Sequence, residues 1–186
     1  MLNGIFKFIA EVITPDANVG WRWKLKNIIL RRLGLNVGEK VAIDKGFDWL
    51  IKSGQITLED HAVVGKYLQI YNFSDVKIGR FCMFAGDIII ANGGHDTSSF
   101  EPFSGPLKIG HGCWIGVGAK IVGANLDIGT NAVISAGALV ISDVPPNAIV
   151  AGVPAKVVGY RTLPDKVWHL GDTWFCPRTF KEVINE

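Results

Sequence analysis

The chain has 186 residues and a formal net charge of +2, from 19 Lys and Arg against 17 Asp and Glu. That length suffices for one domain with a substantial core, and so small a net charge gives no bias toward nucleic acid or another polyanion. Hydrophobic residues make up 48% of the chain and mean hydropathy is +0.27. The longest uncharged stretch of its regular region, 128–142, nevertheless contains Gly129, Thr130, Asn131, Ser135 and Gly137, and is too short and too polar to span a bilayer.

At the start, Leu2, Ile5, Phe6, Ile9 and Ile13 follow helical spacing, and Pro15 ends the run. Lys7 and Glu11 interrupt it and no clean small-residue cleavage site follows, so it does not read as a secretory signal. A second helix is predicted over "WRWKLKNIILRRL", residues 21–33. Trp21, Leu25, Ile28, Ile29 and Leu33 share one face, and Arg22, Lys24, Lys26, Arg31 and Arg32 make the rest basic. Two roles fit it. We favour a cap over the open end of a solenoid, because such ends expose unpaired strand edges. The other is a basic amphipathic surface that touches a membrane or a partner.

From Val37 the chain repeats. Val37, Ile43 and Trp49 are six apart, as are Leu58, Val64 and Ile70, and then Ile78, Phe84 and Ile90. The beat is clearest from Ile109: IGHGCW, IGVGAK, IVGANLD, IGTNAV, ISAGAL, VISDVP. The leading residues Ile109, Ile115, Ile121, Ile128, Ile134 and Val140 are all β-branched, and the fifth position is small at Cys113, Ala119, Ala132 and Ala138. Neither a helical nor a simple strand period explains a repeat of six. One short strand plus one turn per unit does, with the aliphatic inward and the small residue at the corner. Nineteen residues separate Ile90 from Ile109, one hexad plus an insertion of thirteen.

Three hexads close one coil of a parallel β-helix, so residues 37–158 predict about six or seven coils. A β-sandwich of short strands would not hold this register. The expected class is all-β, with a helical cap over 1–36, a β-helix over 37–158 and a C-terminal arm over 159–186. Cys82, Cys113 and Cys176 are widely separated and cannot all pair, which fits a reduced cytoplasmic setting.

The segment "IGHGCWIGVGAKIV…IGTNAVISAGALV…DVPPNAIVAGVPAKVVG" resembles the hexapeptide-repeat acyltransferases. The likeness is greatest to the maltose/galactoside acetyltransferase type and to the O-acetyltransferases of surface-polysaccharide gene clusters. The motifs "CWIG", "ISAGA" and "AGVPAK" make the match more specific than hexads alone. The resemblance implies a left-handed β-helix, an exception to the usual crossover hand. It also implies a homotrimer with acetyl-CoA in the groove between neighbouring copies, direct transfer without an acyl-enzyme, and no metal.

In that family a histidine preceded by Asn three positions upstream borders the insertion, which here gives Asn92-Gly93-Gly94-His95. A neutral imidazole titrates near operating pH and suits removal of a hydroxyl proton during acetyl transfer. His95 is therefore the candidate general base. Gly93 and Gly94 would let the backbone turn sharply. Asn92 would position the acceptor or the acyl group, and Asp96 either orients the imidazole or caps the turn. Phe100 and Phe103 lie in the insertion, residues 96–107, and either shape an acceptor pocket or anchor the loop.

The resemblance places Trp114 beside the site and Val117 and Ala136 against the pantetheine. Ile141 and Ser142 stand where relatives often carry Thr and Lys, which removes a cation. Lys156 would neutralise phosphate, with Arg161 as a second cation. His61 and His111 occupy hexad turns and His169 lies in the tail; all three are expected to be exposed. Cys113 sits at the small inward position and is expected to be core. Backbone N–H groups at a corner would stabilise the oxyanion.

The expected activity is acetyl transfer from acetyl-CoA to a sugar hydroxyl, of a surface polysaccharide or its precursor. The alternative is another small acceptor: an antibiotic, a nucleotide-linked amino sugar or serine. A carbonic anhydrase on this fold would need three converging histidines, two of them close in sequence, and the four present offer no such pair.

Overall fold

A unit of one inward aliphatic, a few polar residues and a small corner residue holds only a strand of two or three residues before the chain must bend. The computed structural model describes residues 20–162 and two further strands, Lys166–Leu170 and Trp174–Thr179, with side chains for 24–50 and 53–162. The helix expected over residues 2–13 and the side chains of Trp21 and Arg22 lie outside the described residues.

The strands stack in three parallel sheets. The first face contains Asn36–Val37, Ile56–Leu58, Val76–Ile78, Leu107–Ile109 and Leu126–Ile128. The second contains Ala42–Ile43, Val63–Val64, Met83–Phe84, Trp114–Ile115, Val133–Ile134 and Ala148–Gly152. The third contains Asp48–Lys52, Gln69–Asn72, Ile89–Ala91, Lys120–Val122 and Leu139–Val140. This is a parallel β-solenoid of five complete coils and a sixth that opens with the bridge Ile128↔Val144, at the lower end of the expected count.

Register follows the hexads. Ile109 stacks on Ile128, Ile115 on Ile134 and Ile121 on Val140. All six are at most 1% exposed, as are the small corner residues Ala62, Cys82, Cys113, Ala119, Ala132 and Ala138. A buried aliphatic of this size contributes about 1.5–3 kcal/mol, but only when the coils above and below are present to cover it. The second face ends by pairing antiparallel with Ala155–Tyr160, which covers its last edge.

The departures from six all fall at one edge. Val37 to Ile43, Ile43 to Trp49 and their counterparts in the next four coils are six apart, so the first and second corners never vary. At the third corner, between the third face and the next coil, the spacing is nine from Trp49 to Leu58 and eight from Ile70 to Ile78. It is nineteen from Ile90 to Ile109 and seven from Ile121 to Ile128. The long insertion is thus the extreme case of a corner that varies in every coil.

The helix Gly20–Arg32 does cap the first coil, but with a different face from the one expected. Leu25 and Ile28 are 38% and 47% exposed, whereas Lys26 and Asn27 are 2% and 5%. The reason is polar. Among the described residues no coil lies beyond the first one to use its outward carbonyls, and Lys26 Nζ donates to Asp44 O at 2.7 Å and Asn27 Nδ2 to Val41 O at 2.9 Å. Ile29 and Leu30 close the apolar core beside them.

Candidate active site

The insertion is a β-hairpin. Gly93–His95 pairs antiparallel with Pro102–Ser104, placing Gly94 opposite Phe103 and His95 opposite Pro102. Neither glycine makes a sharp turn; Gly93 serves close approach, and Gly94 has room for a side chain at ordinary contact distance. A Cβ on Gly93 would come within 2.8 Å of Phe73 Cβ, and one on Gly94 within 3.4 Å of the Phe103 ring.

The hairpin tip is closed by Asp96. Its Oδ1 accepts from Ser98 N at 2.9 Å, Ser99 N at 2.8 Å and Ser99 Oγ at 3.1 Å, and Phe100 N donates to Asp96 O at 2.9 Å. The N–H groups of Ser99 and Ser98, with the Ser99 hydroxyl, hold the carboxyl below its ordinary range. Of the two roles open to Asp96, the structure shows the turn cap. His95 is exposed on the hairpin, and Phe100 and Phe103 are 76% and 48% exposed. Both project from this chain.

Asn92 requires a correction. It is 0% exposed. Its Oδ1 accepts from Phe73 N at 2.9 Å and Ser74 N at 3.2 Å, and its Nδ2 donates to Asp75 O at 3.0 Å. The amide fastens the third corner of the preceding coil and does not face an acceptor. Asn72, equally buried, reaches back to Gly54 O at 2.7 Å in the same way.

The other sequence candidates divide between two edges of the third face. At the second corner, Val117 is 51% exposed and Ala136 is exposed one coil later, with Gly137 N donating to Val117 O at 2.8 Å. Gly118 and Gly137 follow them at φ +70° and +68°, and nothing lies within 4 Å of where a Cβ would stand. This corner is an open rail of backbone. Trp114, 53% exposed, leads into it from the second face. Ile141, 54% exposed, and Ser142 lie at the third corner, two coils beyond the hairpin's coil. Lys156 is exposed opposite Ala151 in the terminal strand pair. Arg161 is engaged elsewhere, donating from Nη1 to Gly112 O at 3.1 Å at the first corner. One chain therefore does not bring His95 together with Val117 and Ala136.

The first corner holds a charged cleft of about 650 Å³, lined in part by Asn36, Thr57, Glu59, Lys77, Arg80 and His111. Glu59 meets Lys77 at 2.7 Å and His111 Nδ1 at 3.4 Å, and also accepts from Arg80 N at 3.2 Å. Burial pushes its carboxyl up, but Lys77, His111 and the Arg80 N–H outweigh burial and leave it below the usual value. His61 and His111 are only partly exposed, contrary to expectation, and His61 stacks on Phe81 at 4.9 Å. The cleft was missed in the sequence, although Asn36, Thr57 and Lys77 share one outward strand position and Asp60, Arg80 and His111 one turn position of successive coils.

Cys113 is core, as expected: it is 1% exposed, with Sγ 3.2 Å from Gly129 O. Cys82, likewise buried, has its thiol pushed up by burial. Among the described residues no group of three His, Cys, Asp or Glu converges as a metal site, and His169 lies in a strand whose side chains are not described.

No family model matches the chain. It is 27% identical over 158 residues to the putative colanic acid biosynthesis acetyltransferase WcaF of Escherichia coli, covering 82% of each chain. It is 33% identical over 110 residues to the galactoside O-acetyltransferase of the same organism, covering 56% of this chain and 54% of the relative. Both relatives are named acetyltransferases. The fold agrees: a hexapeptide-repeat acetyltransferase from Vibrio cholerae superposes with TM-score 0.73 at 21% identity, covering 87% of this chain and 90% of the other. The same enzyme has been solved with acetyl-CoA, where the TM-score is 0.70.

Proposed function

We propose that the chain is an acetyl-CoA-dependent O-acetyltransferase for a sugar hydroxyl of a surface polysaccharide or its precursor. The observation that carries this reading is the separation of two complementary edges, an imidazole on a projecting hairpin and a bare backbone rail. The relative spanning most of the chain is named for colanic acid biosynthesis and another for galactoside acetylation, and both names point to carbohydrate acceptors.

His95 removes the acceptor hydroxyl proton as the oxygen attacks the thioester carbonyl. The tetrahedral oxyanion is held by corner N–H groups. The C–S bond then breaks, the imidazolium returns its proton to the departing CoA thiolate, and an acetyl ester forms. Phe100 and Phe103 shape the acceptor side. Trp114, Val117 and Ala136 line the donor's thioester arm, Ile141 and Ser142 flank it, and Lys156 meets the nucleotide phosphates.

The chemistry is completed between copies, in a homotrimer. Two faces carry apolar side chains outward. Val63, Met83, Trp114, Val133 and Ile149 are on the second, and Leu50, Tyr71, Ile89, Val122 and Leu139 on the third, where Asp48, Gln69 and Lys120 share the outward row of Ile89 and Leu139. The first face instead shows Asn36, Thr57, Lys77, Lys108 and Asp127. A closed ring needs two different patches on each copy, and the two apolar faces supply them. Such packing brings the hairpin of one copy toward the rail of the next. The cytoplasm, where acetyl-CoA is available and free thiols such as Cys82 and Cys113 stay reduced, is the setting that fits. No helix among the described residues is long and apolar enough to cross a membrane.

The test is mass spectrometry of candidate saccharides, serine and amino sugars after incubation with acetyl-CoA, with light scattering for the assembly. Acetylation of a saccharide by a trimer is expected. Turnover confined to serine or an amine would overturn the acceptor class, and an active monomer would overturn the shared site.

A further inference from the structure

We propose that the outer face of the helix Gly20–Arg32 docks on an anionic lipid surface. The helix has an unusual division of labour. Its buried positions are Lys26, Asn27, Ile29 and Leu30, and its exposed ones are Lys24, Leu25, Ile28, Arg31 and Arg32. At 3.6 residues per turn the exposed five fall within an arc of about 120°. Two aliphatic tips, Leu25 and Ile28, are interleaved there with the cations Lys24 and Arg32. Arg31, beside them, is committed to the first coil: its Nε donates to Val37 O at 2.7 Å and its Nη2 to Gly38 O at 2.9 Å, and it pairs with Glu39 at 3.0 Å.

This arrangement has a cause and a consequence. The polar end of the first coil demands Lys26 and Asn27, so the helix cannot also turn Leu25 and Ile28 inward. What remains outside is a convex face of basic stems and aliphatic tips. Two exposed aliphatics fall far short of a stable protein interface, which takes about 800 Å² from each partner. They suit a lipid surface, where short apolar tips enter the headgroup boundary and Lys and Arg remain among the phosphates. Each cation near an anionic surface strengthens binding about fivefold.

The helix also sits on the end of the solenoid, not on its sides. If the trimer of the preceding reading holds, the threefold axis sets three such faces in one plane, and weak contacts add as multivalent ones.

The experiment is sedimentation of the full chain with phosphatidylcholine vesicles, with and without phosphatidylglycerol, while light scattering reports the assembly separately. The wild type is expected to sediment with the anionic vesicles and to be released by salt. Lys24→Glu with Arg32→Glu, and separately Leu25→Ser with Ile28→Ser, are each expected to weaken binding at least tenfold while leaving acetyl transfer to a soluble acceptor unchanged. Three results would overturn the docking face: no binding, equal binding to neutral vesicles, or binding that survives both double variants. Efficient cross-linking of a cysteine placed at Ile28 to one placed within residues 1–14 would also overturn it, by showing the face covered by the chain itself. A monomer that binds in the expected way upholds the lipid surface and sinks only the trimer.

Discussion

The second and third corners of the solenoid carry the same load in opposite ways. At the second, every coil turns in six residues, each turn N–H meets the coil before at 2.8–3.0 Å, and Gly118 and Gly137 leave the surface bare. At the third no two coils are alike, and buried asparagines replace that uniform ladder. A constant corner suits a long, constant ligand such as an acyl-CoA arm. A corner free to vary is where a fold can place a base and an acceptor-shaping hairpin. The difference teaches that one edge of this fold is held constant while another is free to change, and the proposed function assigns the donor to the first and the acceptor to the second.

The sharpest way to break that comparison is His95→Ala. Loss of a general base lowers kcat by about 10²–10⁴-fold, with circular dichroism unchanged because the side chain is exposed on a hairpin. Undiminished turnover would remove the chemistry from the third corner. Next comes Asn92→Ala, which leaves Phe73 N, Ser74 N and Asp75 O without their buried partner. It should cost about 2–4 kcal/mol in denaturant unfolding, and a change under about 0.5 kcal/mol would show that the corner is held otherwise. At the constant corner, Gly137→Val fills the open rail and puts a side chain at positive φ. It should raise KM for acetyl-CoA about tenfold with kcat nearly unchanged. An unmoved KM would mean that the donor does not pass there.

The smallest effect belongs to Asp96. Its carboxyl is depressed in the folded chain, so the order it gives the hairpin is complete above its ordinary value of 3.8 and is lost as pH falls below that value. Asp96→Asn should flatten this acid-side loosening, read as proteolysis at the tip, and leave neutral-pH kcat within about twofold.

The solenoid itself was legible because β-branched residues six apart leave few other ways to bury a face, and the gap from Ile90 to Ile109 marked the insertion. That every irregularity sits at one corner was present in the same counts. The hairpin was less readable, since "DTSSFEPF" carries no alternation. Asn92 misled because a buried amide at a corner and an exposed one at a site look alike until the coil beneath is known. The helix face failed for a related reason: a moment of apolar residues ignores carbonyls at the end of a coil, and those carbonyls selected Lys26 and Asn27.

The confinement of length variation to one edge has an evolutionary reading. Residues added between Ala91 and Gly105 lengthen an outward excursion without sliding a single strand of the three sheets, so no inward aliphatic loses its neighbour. Under the proposed function, a change of acceptor then needs only a rewritten hairpin, and the backbone rail assigned to the acyl donor is left untouched.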